Sequence, residues 1–153
     1  MLFMGQEFYE DKQWSDDPSG SLIYWDGLSS DRTMIDFHRF TRELIGLRRR
    51  FPALRAEGVG TLLMDDFNRV LAFQRWIPGV GGNVVVVASL NESTQFGYNV
   101  PFPLGGHWNE VFNSDVYENW VNPNVAGNGG GVDVFGSSAP ITIPANSVLV
   151  FTR

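Results

Sequence analysis

The residues best suited to chemistry stand near the start of the chain. Glu7, Glu10, Asp11, Asp16 and Asp17 follow closely on the apolar opening Met1-Leu2-Phe3-Met4. An unalternating apolar run is the pattern of a strand buried on both faces of a parallel sheet, so these carboxylates fall on or just after a strand end. In a (β/α)8 barrel, that end of the strands carries the active site. Paired carboxylates opposed across a sugar perform glycoside chemistry, and Glu7 with Asp16 or Asp17 is the pair this segment offers. Trp14, Trp25 and Trp120 add flat rings on which a sugar can stack, although aromatics beside strands also serve as core. Acidic loop residues ordinarily face solvent, and one strand–loop–helix unit cannot hold two carboxylates rigidly. A complete carboxylate site within this chain is therefore the least favoured reading.

Other chemistries are poorly supplied. There is no cysteine, which excludes disulfides and thiolate metal sites, and the only two histidines, His38 and His107, are far apart in sequence. Neither a metal site nor a bound cofactor is expected. Gly127-Asn128-Gly129-Gly130-Gly131 is not followed by the Gly-Lys-Ser/Thr of a phosphate cradle and reads as a flexible loop. No Gly-x-Ser-x-Gly elbow is present. Asn91-Glu92-Ser93 matches a glycosylation sequon but reads as a turn.

The element that organises the chain is Asp31 to Phe51. Met34, Phe37, Phe40, Leu44, Leu47 and Phe51 recur at steps of three and four, which places them on one helix face. Asp36, Arg39, Arg42, Glu43, Arg49 and Arg50 fall largely opposite. Thr33 with Asp36 reads as a capping box, with Asp31 as the alternative cap. Arg48-Arg49-Arg50 suits the negative end of the helix dipole, and Pro52 stops the helix. With the strand over residues 1–8 and the long polar loop over 9–30, this makes one βα unit. A parallel strand needs neighbours, so the chain reads as starting in the middle of a fold.

After Leu54 the pattern changes to short strands and turns. Gly58–Met64 and Val70–Trp76 flank Asp65-Asp66-Phe67-Asn68-Arg69 as a hairpin. Val84–Leu90 reads as a central, fully buried strand. Phe96, Tyr98, Val100 and Phe102 alternate on one face of another, and Trp108 with Phe112 mark a further strand. Residues 113–138 read as irregular, and Ile141-Ile143 and Val148-Val150 form two strands about the turn at Pro144–Ser147. Six to eight such strands argue for an antiparallel sandwich or Greek key.

The chain has 153 residues, 43% of them hydrophobic, with a formal net charge of −6 and a pI near 4.7. That size suits one domain, or one small domain and a piece of another. An acidic chain has no general attraction for nucleic acid or anionic membrane. No run reaches the length of a membrane span, and the first residues lack the basic start and apolar core of a signal peptide. A soluble, cytoplasmic protein is the expectation.

MLFMGQEF, EDKQWSDDP, DFHRFTRELIGLRRRFPALR, NRVLAFQRW, VVVVASLNES, EVFNSDVYENWVNP and AGNGGG together resemble the C-terminal end of bacterial 1,4-α-glucan (glycogen) branching enzymes, of the α-amylase superfamily. The resemblance covers essentially the whole chain. It implies a mainly β fold. Residues 1–54 would be the last strand–loop–helix unit of a (β/α)8 barrel, and residues 55–153 an antiparallel β-sandwich of Greek-key type. It also implies α-glucan as substrate of the full enzyme, with a glycosyl-aspartate intermediate and an α-1,6 branch as product. The aspartate nucleophile, glutamate acid/base and second aspartate of that family would lie upstream of Met1, so no residue here is assigned a catalytic role. Gln6, Glu7, Trp14, Asp16 and Asp17 are the candidates for the rim of the substrate cleft. A free-standing glucan-binding module is the alternative. Without the rest of a barrel, Phe37, Phe40 and Leu44 would lack cover, which predicts rearrangement of residues 1–30 or self-association.

Overall fold

A computed structural model describes residues 4–12, 15–17, 22–117 and 124–153. The chain forms two compact units, residues 1–46 with 117–122, and residues 47–116 with 123–153.

In the first unit, the strand expected over residues 1–8 is not seen where the chain is described; residues 1–3 lie outside the described residues. Met4 and Gly5 form a turn and Gln6–Phe8 a single 3-10 turn. The cause is Gly5, which takes φ 92°, a left-handed conformation that glycine adopts without steric cost. Its carbonyl accepts from Phe8 N at 3.2 Å and Glu10 N at 3.0 Å, which folds the segment back on itself. Phe8 is thereby buried against the Trp25 ring at 5.5 Å.

A short helix, α1 (Gly27–Ser30), leads into the long helix α2 (Arg32–Arg50). Asp31, not Thr33, caps α2: its Oδ1 accepts from Thr33 N at 2.8 Å and Met34 N at 3.3 Å. Asp36, expected on the polar face, is only 6% exposed, because Arg32 Nε reaches it at 3.1 Å and compensates its charge. Phe37 and Phe40 stack along the helix at 5.5 Å, and Tyr117 meets Phe40 edge-on at 5.2 Å. The Tyr117 hydroxyl donates to Glu43, which also pairs with Arg39 at 2.8 Å. Burial, reinforced by the neighbouring Glu43 carboxylate, pushes the Tyr117 phenol well above its ordinary range. Burial opposes ionisation of Glu43, yet the Tyr117 and Arg39 hydrogen bonds win and its pKa falls. Phe51 is extended before Pro52, and Pro52–Arg55 follow as a 3-10 turn.

The second unit is antiparallel β. Its strands are β1 (Gly58–Asp65), β2 (Val70–Ile77), β3 (Gly81–Ser89), β4 (Gln95–Pro101), β5 (Gly106–Asn113), β6 (Gly131–Val134), β7 (Ser138–Ile143) and β8 (Val148–Thr152). Six form one sheet in the order β1-β2-β3-β8-β5-β6, and β4 pairs with β7 in a second. The insertion of β8 between β3 and β5 is the Greek-key feature. Val84 to Val87 are all buried in β3, as expected of a central strand, which is paired on one side with β2 and on the other with β8. The core between the sheets contains Val85, Val87, Trp108, Leu149 and Phe151 from the larger sheet and Val100, Ile141 and Ile143 from the smaller.

Three features of this unit differ from the sequence reading. Phe96 is 78% exposed: Gly97 takes φ 63° and the β4–β7 register shifts between Gln95 and Tyr98, a bulge that turns Phe96 out of the alternation. Residues 131–134 form strand β6, paired with β5 through Trp108↔Val132, within a stretch that reads as irregular. The glycine-rich segment before it is held by Asn128, whose amide bonds to Glu110 and to the Thr142 backbone.

Candidate functional site

The first unit carries an open cleft of about 420 Å³, lined on one arm by Tyr9, Glu10, Asp11 and Lys12 and on the other by Tyr24, ahead of α1, and by Asp31, Thr33 and Met34 at the start of α2. Glu10 clasps the arms together. Its Oε2 accepts from Tyr24 N at 2.7 Å and its Oε1 from Lys12 N at 3.3 Å. Lys12 Nζ in turn donates to the Leu22 carbonyl. Tyr9, at φ 66°, is turned so that its ring lies 5.3 Å from Phe37 while the side chain stays 60% exposed. Across the cleft Tyr24 is also exposed, its hydroxyl 3.3 Å from Ser30 Oγ. Gly27 permits a close approach: a Cβ there would sit 2.2 Å from Met34 Sδ and 2.9 Å from the Tyr24 ring. The cleft thus presents exposed phenol rings beside carboxylate, ammonium and hydroxyl groups. That combination suits a polyhydroxylated ligand, with rings for stacking and polar groups for its hydroxyls.

The candidate rim residues are placed unevenly. Gln6 is exposed on the 3-10 turn. Glu7 is half-buried and its Oε2 accepts from Gly5 N at 3.0 Å, within its own turn. Asp16 and Asp17 are exposed, with Asp17 N donating to Ser15 Oγ at 3.0 Å. Trp14 and Trp120 lie outside the described residues. Glu7, Glu10 and Asp31 each direct carboxylate oxygen to the local backbone, so their geometry is that of turn, clasp and cap. Tyr9 was not legible as a cleft residue. Only the left-handed turn set up by Gly5 and the packing on Phe37 bring it there.

Residues 63–153 match the family model for the alpha-amylase C-terminal all-beta domain, and the chain belongs to that family. It is similar to the 1,4-alpha-glucan branching enzyme of Pseudomonas syringae pv. tomato, 34% identical over 162 residues covering 99% of this chain and 21% of the relative. The branching enzyme of Rhizobium meliloti is 33% identical over 168 residues, 100% of this chain and 21% of the relative. That of Mesorhizobium japonicum is 34% identical over 145 residues, 87% of this chain and 18% of the relative. The chain spans about a fifth of the length of the curated relatives it matches. Among the described residues, no helix is long and apolar enough to cross a membrane.

Proposed function

We propose that these residues are the C-terminal part of a 1,4-α-glucan branching enzyme. The observation that carries this is the similarity to branching enzymes over almost the whole chain, with the all-beta family match at its C-terminal side. On this reading residues 55–153 are the β-domain and residues 1–54 the terminal unit of the catalytic barrel. The full enzyme cleaves an α-1,4 linkage, holds the fragment on an aspartate and transfers it to a 6-hydroxyl with retention. The carboxylates for those steps come from other segments of the enzyme. This part supports the barrel and lines the glucan cleft, with Gln6, Glu7, Trp14, Asp16 and Asp17 at its rim and Tyr9 and Tyr24 beside them. The protein acts in the cytoplasm on α-glucan, with neither nucleic acid nor membrane as partner. In the full enzyme the face of Phe37, Phe40 and Leu44 packs on the barrel; without the barrel it takes other cover, by rearrangement of residues 1–30 or by self-association.

The test begins with an antibody against this chain applied to an extract of the source cells. A band several times 17.1 kDa supports the reading; a band at 17.1 kDa alone favours a free-standing glucan-binding module. That second reading draws on the β-unit having its own two-sheet core. The purified chain should leave the iodine spectrum of amylose unchanged. A shift would show catalysis by the chain itself and overturn the assignment of its carboxylates elsewhere. Calorimetry with maltoheptaose then separates glucan binding from a purely structural role.

A further inference from the structure

Asn128-Gly129 is the one Asn-Gly pair in the sequence. In such a pair the following nitrogen is the least hindered of any, because glycine has no Cβ. We propose that this pair is a deamidation site held shut by the fold, and that its conversion irreversibly unfastens the two β-sheets beside it.

The fastening is specific. Asn128 Nδ2 donates to Glu110 Oε2 at 2.6 Å and to the Thr142 carbonyl at 3.0 Å, and its Oδ1 accepts from Thr142 N at 2.7 Å. Glu110 is on β5 of the larger sheet and Thr142 on β7 of the smaller, so one amide side chain joins both. Asn113 Nδ2 reaches the other Glu110 oxygen at 3.3 Å and the Ala126 carbonyl at 2.8 Å. Gly129, in contrast, is exposed at φ 61°.

Deamidation requires the Gly129 nitrogen to attack Asn128 Cγ. The N–Cγ bond forms, the Cγ–Nδ2 bond breaks, and ammonia leaves with the proton given up by that nitrogen. Water then opens the cyclic imide to aspartate or isoaspartate, so water is the only reagent consumed. The attack cannot occur while Cγ is held towards Glu110 and Thr142; all three bonds must first open. Afterwards an oxygen stands where Nδ2 stood. It faces the Glu110 carboxylate and the Thr142 carbonyl with no donor between them, a like-charge and acceptor–acceptor contact that opposes reclosure.

The experiment is to age the chain at mildly alkaline pH, folded and in urea, and to map the acid product by peptide mass spectrometry. Conversion at Asn128 should be at least roughly tenfold slower in the folded chain, the protection expected of a site reached only by local opening. Glu110→Ala should speed it in the folded state. The converted fraction should melt at lower temperature and be cut faster by protease near residues 124–130. Asn128→Asp should show the same lowered melting, and adding Glu110→Gln, whose amide donates to the new carboxylate, should recover part of it. If Asn128→Asp fails to fold, the aged fraction carries the test alone. Equal conversion rates in the folded and unfolded chain, or an aged fraction that melts like the parent, would overturn the proposal.

Discussion

The Tyr98 hydroxyl donates to Asp65 Oδ2, a bond that ties β4 of the smaller sheet to the last residue of β1 in the larger. Asn68 adds two more donors to the same carboxylate, its main-chain N at 2.9 Å and its Nδ2 at 2.8 Å. With the Tyr98 hydroxyl foremost, these bonds hold the Asp65 carboxyl down to about 2. Burial, then the Asp65 carboxylate, pushes Tyr98 up to about 12.

The pH dependence of stability follows from those two values. Asp65 is depressed from an ordinary value of about 3.9, so its contribution is complete above that pH and is lost as pH falls towards about 2. Tyr98 is raised from an ordinary value of about 10, so its contribution is present below that pH and is lost as pH rises through about 12. Tyr98→Phe should raise the Asp65 pKa and flatten the acid limb of stability. NMR titration of the Asp65 carboxyl checks this; an unchanged titration in the variant would show that the Tyr98 bond does not form in solution.

Asp31 should matter to α2 where Thr33 does not. Removing an N-cap side chain costs about 1 kcal/mol, so Asp31→Ala should lower the melting temperature followed by circular dichroism, and Asp31→Asn should keep most of it. Thr33→Ala should be close to neutral, since the cap bonds come from Asp31 Oδ1. A larger loss at Thr33 than at Asp31 would restore the capping-box reading.

How far the sequence could be read depended on how local the deciding forces were. The run Val84 to Val87 announces a strand buried on both faces, and no distant partner changes that. The β1–β2 hairpin is equally local, with Asp65 opposite Val70 at its closing pair. Strand β6 is different: its four residues follow a glycine-rich turn, and only pairing with β5 makes them extended. Phe96 obeys the alternation in sequence, but the bulge at Gly97 reverses its side. Asp36 is polar by type and buried by context, because Arg32 one turn earlier neutralises it. At the cleft, Glu10 and Asp11 were visible as carboxylates, whereas the role of Glu10 as a clasp depends on Tyr24, which the sequence places on the far arm of the loop.

Trp108 is the strongest single test of the β-unit core. It is 0% exposed, stacks near Phe102 at 5.2 Å, and its Nε1 donates to the Leu104 carbonyl at 2.9 Å. Trp108→Ala should cost about 3–5 kcal/mol, through the cavity and lost burial, read as a fall in the midpoint of urea denaturation. Trp108→Phe fills much of the space but leaves the Leu104 carbonyl without that donor, so its loss should be smaller. Equal effects would mean the hydrogen bond, not the ring volume, dominates.

The cleft makes the last prediction, and it bears on the proposed role in holding α-glucan. A ring that stacks on a sugar removes apolar surface from water at about 25 cal/mol per Å², so Tyr9→Ala and Tyr24→Ala should each weaken maltoheptaose binding several-fold in calorimetry. Tyr24→Ala keeps the main-chain N–H that Glu10 accepts, so the clasp survives the substitution and the change reports on the ring. Glu10→Gln acts differently. It weakens the clasp, and should therefore lower both sugar binding and the melting temperature of the first unit. Phe135, 88% exposed on the β6–β7 turn, lies outside the residues that line the cleft, and Phe135→Ala should leave binding unchanged. Should the tyrosine variants bind as the parent does while Phe135→Ala binds worse, the glucan contact belongs to the β-unit and the cleft assignment fails.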